Sequence, residues 1–332
     1  MDLSVSYLGL KLKSPIVAGS SSITHSLENL KKIEQNGAGA VVLKSIFEEE
    51  IYHEYDKVMR EDLQHDVPDT KYLDYYDYKI KEDNLKAYLD FIKNAKQEIG
   101  IPVIASVNCV SSHEWMFFAK KIEEAGADAL EINLFILPSD FTKSCDDIQN
   151  IYADVIKKTK EQVNIPISVK LSYYFSNLAS FVKNVSESGV QGVVLFNRFF
   201  HPDFDIENFK IVPTNVLSRS SDIAISLRWM SILSGRVGCD LIASTGVHDG
   251  ASVVKEILAG ADAVQVVSSL YKHGINYLED MTEDLKAWMK RHGFEKIDDF
   301  KGKMSQVNSP NPAEYERVQF MKYFSNKKYD LG

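Results

Sequence analysis

The sequence predicts an α/β fold of the (β/α)8-barrel (TIM barrel) type, and three observations carry that expectation. Eight short runs rich in Val, Ile and Ala are nearly continuous in hydrophobicity rather than alternating, as strands buried on both faces are. Longer amphipathic stretches separate them. A glycine-led turn recurs where the second kind of segment gives way to the first.

The runs, in order, are Ile16–Gly19, Ala40–Leu43, Val103–Val107, Ala129–Asn133, Ile167–Leu171, Val190–Phe196, Cys239–Ser244 and Ala261–Val267. The turn appears as Gly37-Ala38-Gly39-Ala40-Val41, Gly126-Ala127-Asp128-Ala129-Leu130, Gly189-Val190-Gln191-Gly192-Val193 and Gly260-Ala261-Asp262-Ala263-Val264. Glycine stops a helix there, and small residues let the chain turn into a strand. Near the C-terminus, Leu278, Met281, Leu285, Trp288 and Met289 form one apolar stripe of helical spacing, with Gly293 as its stop. That stripe reads as core packing.

Two stretches interrupt the plan. Phe47–Ile80, between the second and third strands, is crowded with Tyr, Asp, Glu and His and reads as a lid or interface segment. Arg198–Asp222 follows the sixth strand. No Gly/Ser-rich or Pro-rich linker divides the chain, so residues 1–332 are read as one domain, with a core over about 8–300 and a polar, aromatic tail over 301–332.

Composition excludes several function classes. A formal net charge of −9 lacks the basic footprint of a nucleic-acid binder. No apolar run approaches the roughly 20 residues of a membrane span. Met1-Asp2-Leu3-Ser4 opens without the basic and apolar regions of a signal peptide, so a cytoplasmic location is the default. Cys109, Cys145 and Cys239 have neither disulfide-framework nor zinc-ligand spacing. His25, His53, His65, His113 and His201 show no paired spacing for a metal, although Arg198 and His201 lie within reach of the barrel mouth.

Barrel active sites collect at the C-terminal ends of the strands. The strand-end residues here are Ala18-Gly19-Ser20, Lys44-Ser45, Ser106-Val107-Asn108, Glu131-Ile132-Asn133, Lys170 with Ser172, Asn197, Ser244-Thr245-Gly246 and Ser268-Ser269. A single lysine at such a place reads as a snorkelling side chain. Two lysines and three asparagines converging on one mouth suit a planar, polar, anionic ligand: amides read ring N–H and C=O groups, and ammonium groups stabilise developing negative charge. Thr245-Gly246 and Ser268-Ser269, at the last two strands, sit where barrels hold phosphate.

In this order, these residues resemble the dihydroorotate dehydrogenase family, over most of the chain from Leu8 through Gly302. Ala18-Gly19-Ser20 is similar to its first flavin loop, and Lys44-Ser45 to its Lys-Ser pair beside the flavin. Glu131-Ile132-Asn133 resembles its Glu-Leu-Asn run, and Val169-Lys170-Leu171 its Val-Lys-Leu strand. Asn197 falls at its asparagine after strand six, while Ser244-Thr245-Gly246-Val247 and Val267-Ser268-Ser269-Leu270 stand at its phosphate turns. The resemblance implies FMN, oxidation of dihydroorotate to orotate in pyrimidine biosynthesis, and a homodimer. It leaves the electron acceptor open.

The departures lie on the substrate side. The family's Asn-Leu-Ser-Cys-Pro-Asn loop, which carries its catalytic base, is replaced by Asn133-Leu134-Phe135-Ile136-Leu137-Pro138-Ser139. Ile136 or Leu137 then occupies the base position, and the nearest groups able to take a proton are Ser139 and Cys145. The family's asparagine loop after strand two is absent, and its glycine-rich run before the sixth helix becomes Ser218-Arg219-Ser220-Ser221-Asp222. Three readings follow: dihydroorotate oxidation with a displaced base, FMN chemistry on another small cyclic substrate, or flavin binding without catalysis. A reading of another class is a phosphosugar isomerase or aldolase with Lys170 as a Schiff-base lysine. Colour separates that reading from the others.

Overall fold

The computed structural model describes residues 1–47, 70–108, 119–198 and 201–316; of 70–83 only the helical backbone is described. Eight parallel strands close into a barrel: β3 (Ile16–Ala18), β4 (Ala40–Val42), β6 (Val103–Asn108), β7 (Ala129–Asn133), β8 (Ile167–Leu171), β9 (Gly192–Leu195), β12 (Asp240–Ser244) and β13 (Ala263–Val266). Each pairs with the next, and β13 returns to β3 through Val264↔Ile16 and Val266↔Ala18. A two-residue strand, β5 (Ile46–Phe47), extends the pairing along β6 at the mouth. Every strand of the barrel matches one of the eight apolar runs. The reason is physical: helices cover the outer face and packed side chains fill the inner one, so neither face tolerates alternation.

The recurring glycine turn is the hinge of this architecture. Gly37, Gly126, Gly189 and Gly260 all have positive φ, from 86° to 118°, a region open to glycine without a Cβ penalty. Two residues after the first of them, Gly39 lies so close to the backbone of Ser14 that a Cβ would fall 1.9 Å from its carbonyl oxygen. Small residues here let β4 lie against the chain entering β3.

The bottom of the barrel is closed by an N-terminal hairpin, β1 (Val5–Tyr7) paired with β2 (Leu10–Leu12). Leu8 donates its N–H to the Asp240 carboxylate at 2.7 Å. A Cβ on Gly192 would meet Leu8 at 2.6 Å and Tyr7 at 3.2 Å. Both contacts are to the first residues of barrel strands, so the hairpin plugs the N-terminal end and leaves the opposite end as the mouth.

Around the barrel run α1 (Leu27–Gln35), α2 (Thr70–Glu98), α3 (Cys145–Lys160), α4 (Leu178–Glu187), α5 (Ile223–Leu233), α6 (Gly250–Ala259), α7 (Ser268–His273) and α8 (Tyr277–His292). On α8 the predicted stripe is buried at Leu278, Met281, Leu285 and Met289, with Trp288 partly buried, and Gly293 caps the helix at φ 72°. None of the described helices is long and apolar enough to cross a membrane.

Of the Tyr/Asp-rich segment, residues 48–69 lie outside the described residues, and 70–80 begin α2, which runs for 29 residues. The described part of the tail wraps the barrel. Gly302 and Met304 donate N–H groups to the carbonyls of Ile257 and Leu258, and Gln306 donates to Ser231. The excursion after strand six contains an antiparallel hairpin, β10 (Pro202–Asp205) and β11 (Lys210–Pro213). Its register pairs Pro202 with Pro213 and Phe204 with Ile211, which puts an apolar row on one face; Phe204 and Ile211 are 67% and 75% exposed.

Candidate active site at the strand ends

The polar residues expected at the strand ends form a continuous network across the mouth. Asn197 donates to Asn133 Oδ1 at 2.9 Å, and Asn133 donates to the Ser45 hydroxyl at 3.3 Å. Ser45 in turn touches the hydroxyls of Ser20 (3.1 Å) and Ser106 (2.7 Å). Tyr88, from α2, closes the row by donating to the Ser106 carbonyl and accepting its N–H. Burial pushes the pKa of the Tyr88 phenol well above its usual value, so it stays a neutral donor.

Inside the mouth, Lys170 is buried and donates to Gln265 Oε1 at 2.9 Å. Gln265 donates its amide N–H to Glu131, which is fully buried, and Glu131 Oε1 lies 3.6 Å from the Lys170 ammonium. The glutamine amide is thus oriented by a carboxylate on one side and an ammonium on the other. An ion pair this deep is tolerated because hydrogen bonds accompany it.

A cavity of ≈ 430 Å³ opens above Lys170, lined also by Ser20, Asn197, Ser244, Thr245, Gly246, Gln265 and Ser268. That volume lies within the roughly 300–1,000 Å³ typical of small-molecule sites. At its edge, Thr245 and Gly246 turn with φ of 80° and 82°, and a Cβ on Gly246 would strike the Ile223 nitrogen at 2.1 Å. Ser268 accepts the Ser218 N–H at 3.0 Å; Lys272 donates to the Ser218 carbonyl, and the Ser218 hydroxyl lies 2.9 Å from His248 Nε2. Burial, followed by the nearby Lys272 charge, depresses the His248 pKa.

Of the strand-end residues singled out in the sequence, seven line this cavity: Ser20, Lys170, Asn197, Ser244, Thr245, Gly246 and Ser268; Arg198 lines it as well. Ser45 and Asn133 join it through hydrogen bonds. Ala18 ends β3 with no exposed surface, Gly19 packs on Val267, and Asn108 ends β6 half-buried; Lys44 follows β4 and is likewise half-buried. Ser268 and Ser269 open α7 rather than ending a strand, and the buried Ser269 hydroxyl has no hydrogen-bond partner among the described residues.

Ser139 and Cys145 line neither this cavity nor the one beside it. Ser139 is exposed in the loop before α3, and Cys145 is exposed at the first turn of that helix, 3.7 Å from the Ser176 hydroxyl. Ile136 packs on the core and Leu137 stands half exposed. Cys239 is a packing residue, its thiol pushed up to about 12 by burial and the Asp240 carboxylate. Cys109 lies outside the described residues. Among those described, no group of His, Cys, Asp and Glu is arranged to hold a metal.

Gln265 escaped the sequence reading, yet it left a signal, as the one amide within the apolar run Ala261–Val267. Tyr173 and Arg219 also reach the mouth; nothing local marked Tyr173, and Arg219 was noted only within the run that replaces the family's glycine-rich stretch.

A closed parallel barrel with a polar strand-end mouth of this kind, opening into a cavity of small-molecule size, is an enzyme scaffold. The family model described as dihydroorotate dehydrogenase matches residues 2–289, and the chain belongs to that family. It is an oxidoreductase acting on CH–CH groups. Similar proteins include those named dihydroorotate dehydrogenase B (NAD(+)), catalytic subunit, from Thermoplasma volcanium (27% identical, over 91% of this chain and 98% of that one) and Thermoplasma acidophilum (26%, over 91% and 98%). A third of the same name, from Endomicrobium trichonymphae, is 27% identical over 81% of this chain and 86% of its own.

Proposed function

We propose that the chain is an FMN-dependent oxidoreductase that converts dihydroorotate to orotate. The observation that carries this reading is the Glu131–Gln265–Lys170 array beneath a cavity edged by Asn197 and the Thr245-Gly246 turn. The donor set fits the cofactor. A buried ammonium faces the place of an electron-rich ring edge, and a left-handed turn beside Ser268 suits a phosphate. Bound FMN would supply the hydride acceptor that no side chain provides.

The residues of the chain then have separate tasks. Lys170 would favour negative charge on the ring system beside it, held in line by Gln265. Asn133 and Asn197, hydrogen-bonded to each other, would present amide groups to substrate ring C=O and N–H groups. Oxidation also removes a proton from the carbon next to the hydride donor. Of the residues lining the adjoining cavity, His201 and Asp222 would be the imidazole and carboxylate candidates to accept it. Tyr173 beside them is held up to about 12 by burial and remains a donor.

A second reading is FMN chemistry on a different small cyclic substrate. The apolar stretch Leu134–Leu137 supports it, because a base there is replaced by side chains that carry no proton. Flavin binding without catalysis stands third. An anaerobic visible spectrum of the purified protein, taken before and after dihydroorotate, separates the three. A flavin band that bleaches supports the first; a band that persists with dihydroorotate but bleaches with another cyclic substrate supports the second. No flavin band at all would sink every one.

We further propose a homodimer. The exposed apolar face of the β10–β11 hairpin supports it, since an isolated two-stranded hairpin is marginal until that face is covered. The electron acceptor stays open between a soluble oxidant and a partner protein.

A further inference from the structure

A second cavity, of ≈ 280 Å³, adjoins the first and shares Phe196, Asn197, Arg198, Ser244 and Thr245 with it. What distinguishes it is charge. Arg198, Arg219 and His201 line it, against the single carboxylate of Asp222. One wall is aromatic, formed by Tyr173 and Phe196 packed edge to face with centroids 5.8 Å apart.

The two arginines are held in place by the chain itself. Arg198 donates through Nη1 to the Val216 carbonyl and through Nη2 to that of Asn215 at 2.7 Å, while its Nε stays 3.7 Å from Asp222. Two of its five N–H donors are therefore committed to carbonyls, and its side chain is only 21% exposed. Arg219 is positioned at its backbone by the Asp222 carboxylate, which accepts its N–H at 2.9 Å, and its guanidinium faces the Asn215 carboxamide. A guanidinium already ordered by neutral carbonyls loses little entropy when it takes an anion, and its planar fork matches a carboxylate.

We propose that this cavity is a carboxylate subsite: Arg198 and Arg219 hold the carboxylate of a planar, single-ring substrate whose ring reaches Asn197 at the shared wall. The proposal rests on the oxidoreductase reading above and adds to it which side of the mouth the acidic group of the substrate occupies. The carboxylate sits toward the loop after strand six, and the apolar Leu134–Leu137 stretch takes no part in holding it.

The test is calorimetric titration of the purified holoprotein with orotate and with uracil, the same ring lacking the carboxylate. Orotate is expected to bind at least about tenfold more tightly. Arg219→Gln should remove about tenfold of the orotate affinity and leave uracil unchanged. Arg198→Lys, which keeps the charge and loses the fork, should weaken orotate likewise. Melting temperature and flavin content report whether each variant is folded. Equal binding of orotate and uracil, or unchanged orotate affinity in a folded variant of either arginine, overturns the subsite. Benzoate separates this outcome from failure of the functional reading. If benzoate binds with the same arginine dependence while dihydroorotate neither binds nor bleaches the flavin, the subsite stands and the substrate assignment falls. If dihydroorotate bleaches the flavin with unaltered KM in Arg219→Gln, the assignment stands and the subsite falls.

Discussion

Lys170 carries the most chemistry of any single residue here. Its ammonium is buried, faces Gln265 Oε1 and stands near the Glu131 carboxylate. Its environment is therefore already compensated, and replacing it leaves the buried Glu131 with Gln265 as its one hydrogen-bond donor among the described residues. Lys170→Ala is expected to slow flavin reduction by about 10² or more, as loss of a preorganised charge does elsewhere, with a smaller proportional loss of stability. Stopped-flow reduction beside thermal melts checks this; unchanged reduction kinetics would remove the assigned role. At this scale the sequence was informative wherever a polar residue interrupts an apolar run, as Lys170 does. It was uninformative for Arg219 and Tyr173, whose directions depend on how the excursions around them fold.

Among the elements, α6 contains a group that does not fit its surroundings. Glu256 is fully buried there, and neither carboxylate oxygen has a hydrogen-bond partner among the described residues; the nearby Ser226 hydroxyl donates instead to the Leu195 carbonyl. Burial raises its pKa from 4.5 to about 8. The folded protein therefore keeps a proton that the unfolded chain releases. The contribution of this site is fully present below about pH 4.5 and is lost as pH rises through about 8. Glu256→Gln should gain stability relative to the parent as pH rises, with little difference at pH 5 and a higher melting temperature at pH 9. A gap between the two proteins that does not change with pH would refute it. The strands were legible because burial on both faces leaves a nearly continuous apolar run. The hairpin at Pro202–Pro213 was not, since its apolar residues alternate on an exposed ribbon with no core to mark them. The loop after β7 shows the limit of proximity in sequence. Ser139 and Cys145 follow Asn133 closely along the chain, yet the loop carries them away from both cavities.

For the whole molecule, the closed barrel, the N-terminal plug and the wrapping tail account for the ends of the scaffold. Among the described residues, the β10–β11 hairpin carries a paired, exposed apolar row, Phe204 opposite Ile211. Phe204→Asp, placed on its exposed apolar row, is expected to shift the protein from dimer to monomer without lowering flavin content, as light scattering would show. A parent protein that is already monomeric at micromolar concentration would remove the dimer proposal. The fold as a whole could be read from eight runs and four glycine turns, because barrel closure imposes the same local demands at every repeat.

Closure also has a consequence for synthesis. β3, one of the first strands made, bonds to β4 on one side and to β13 on the other, and β13 is the last strand of the barrel. A nascent chain therefore carries an apolar strand with one unsatisfied edge until the strand Ala263–Val266, well past the middle of the sequence, has left the ribosome. Such an edge recruits other chains. Translation arrested before Ala263 should yield aggregated fragments rather than soluble half-barrels, and the full chain should depend on chaperone protection during the interval between the two halves of its first strand's pairing.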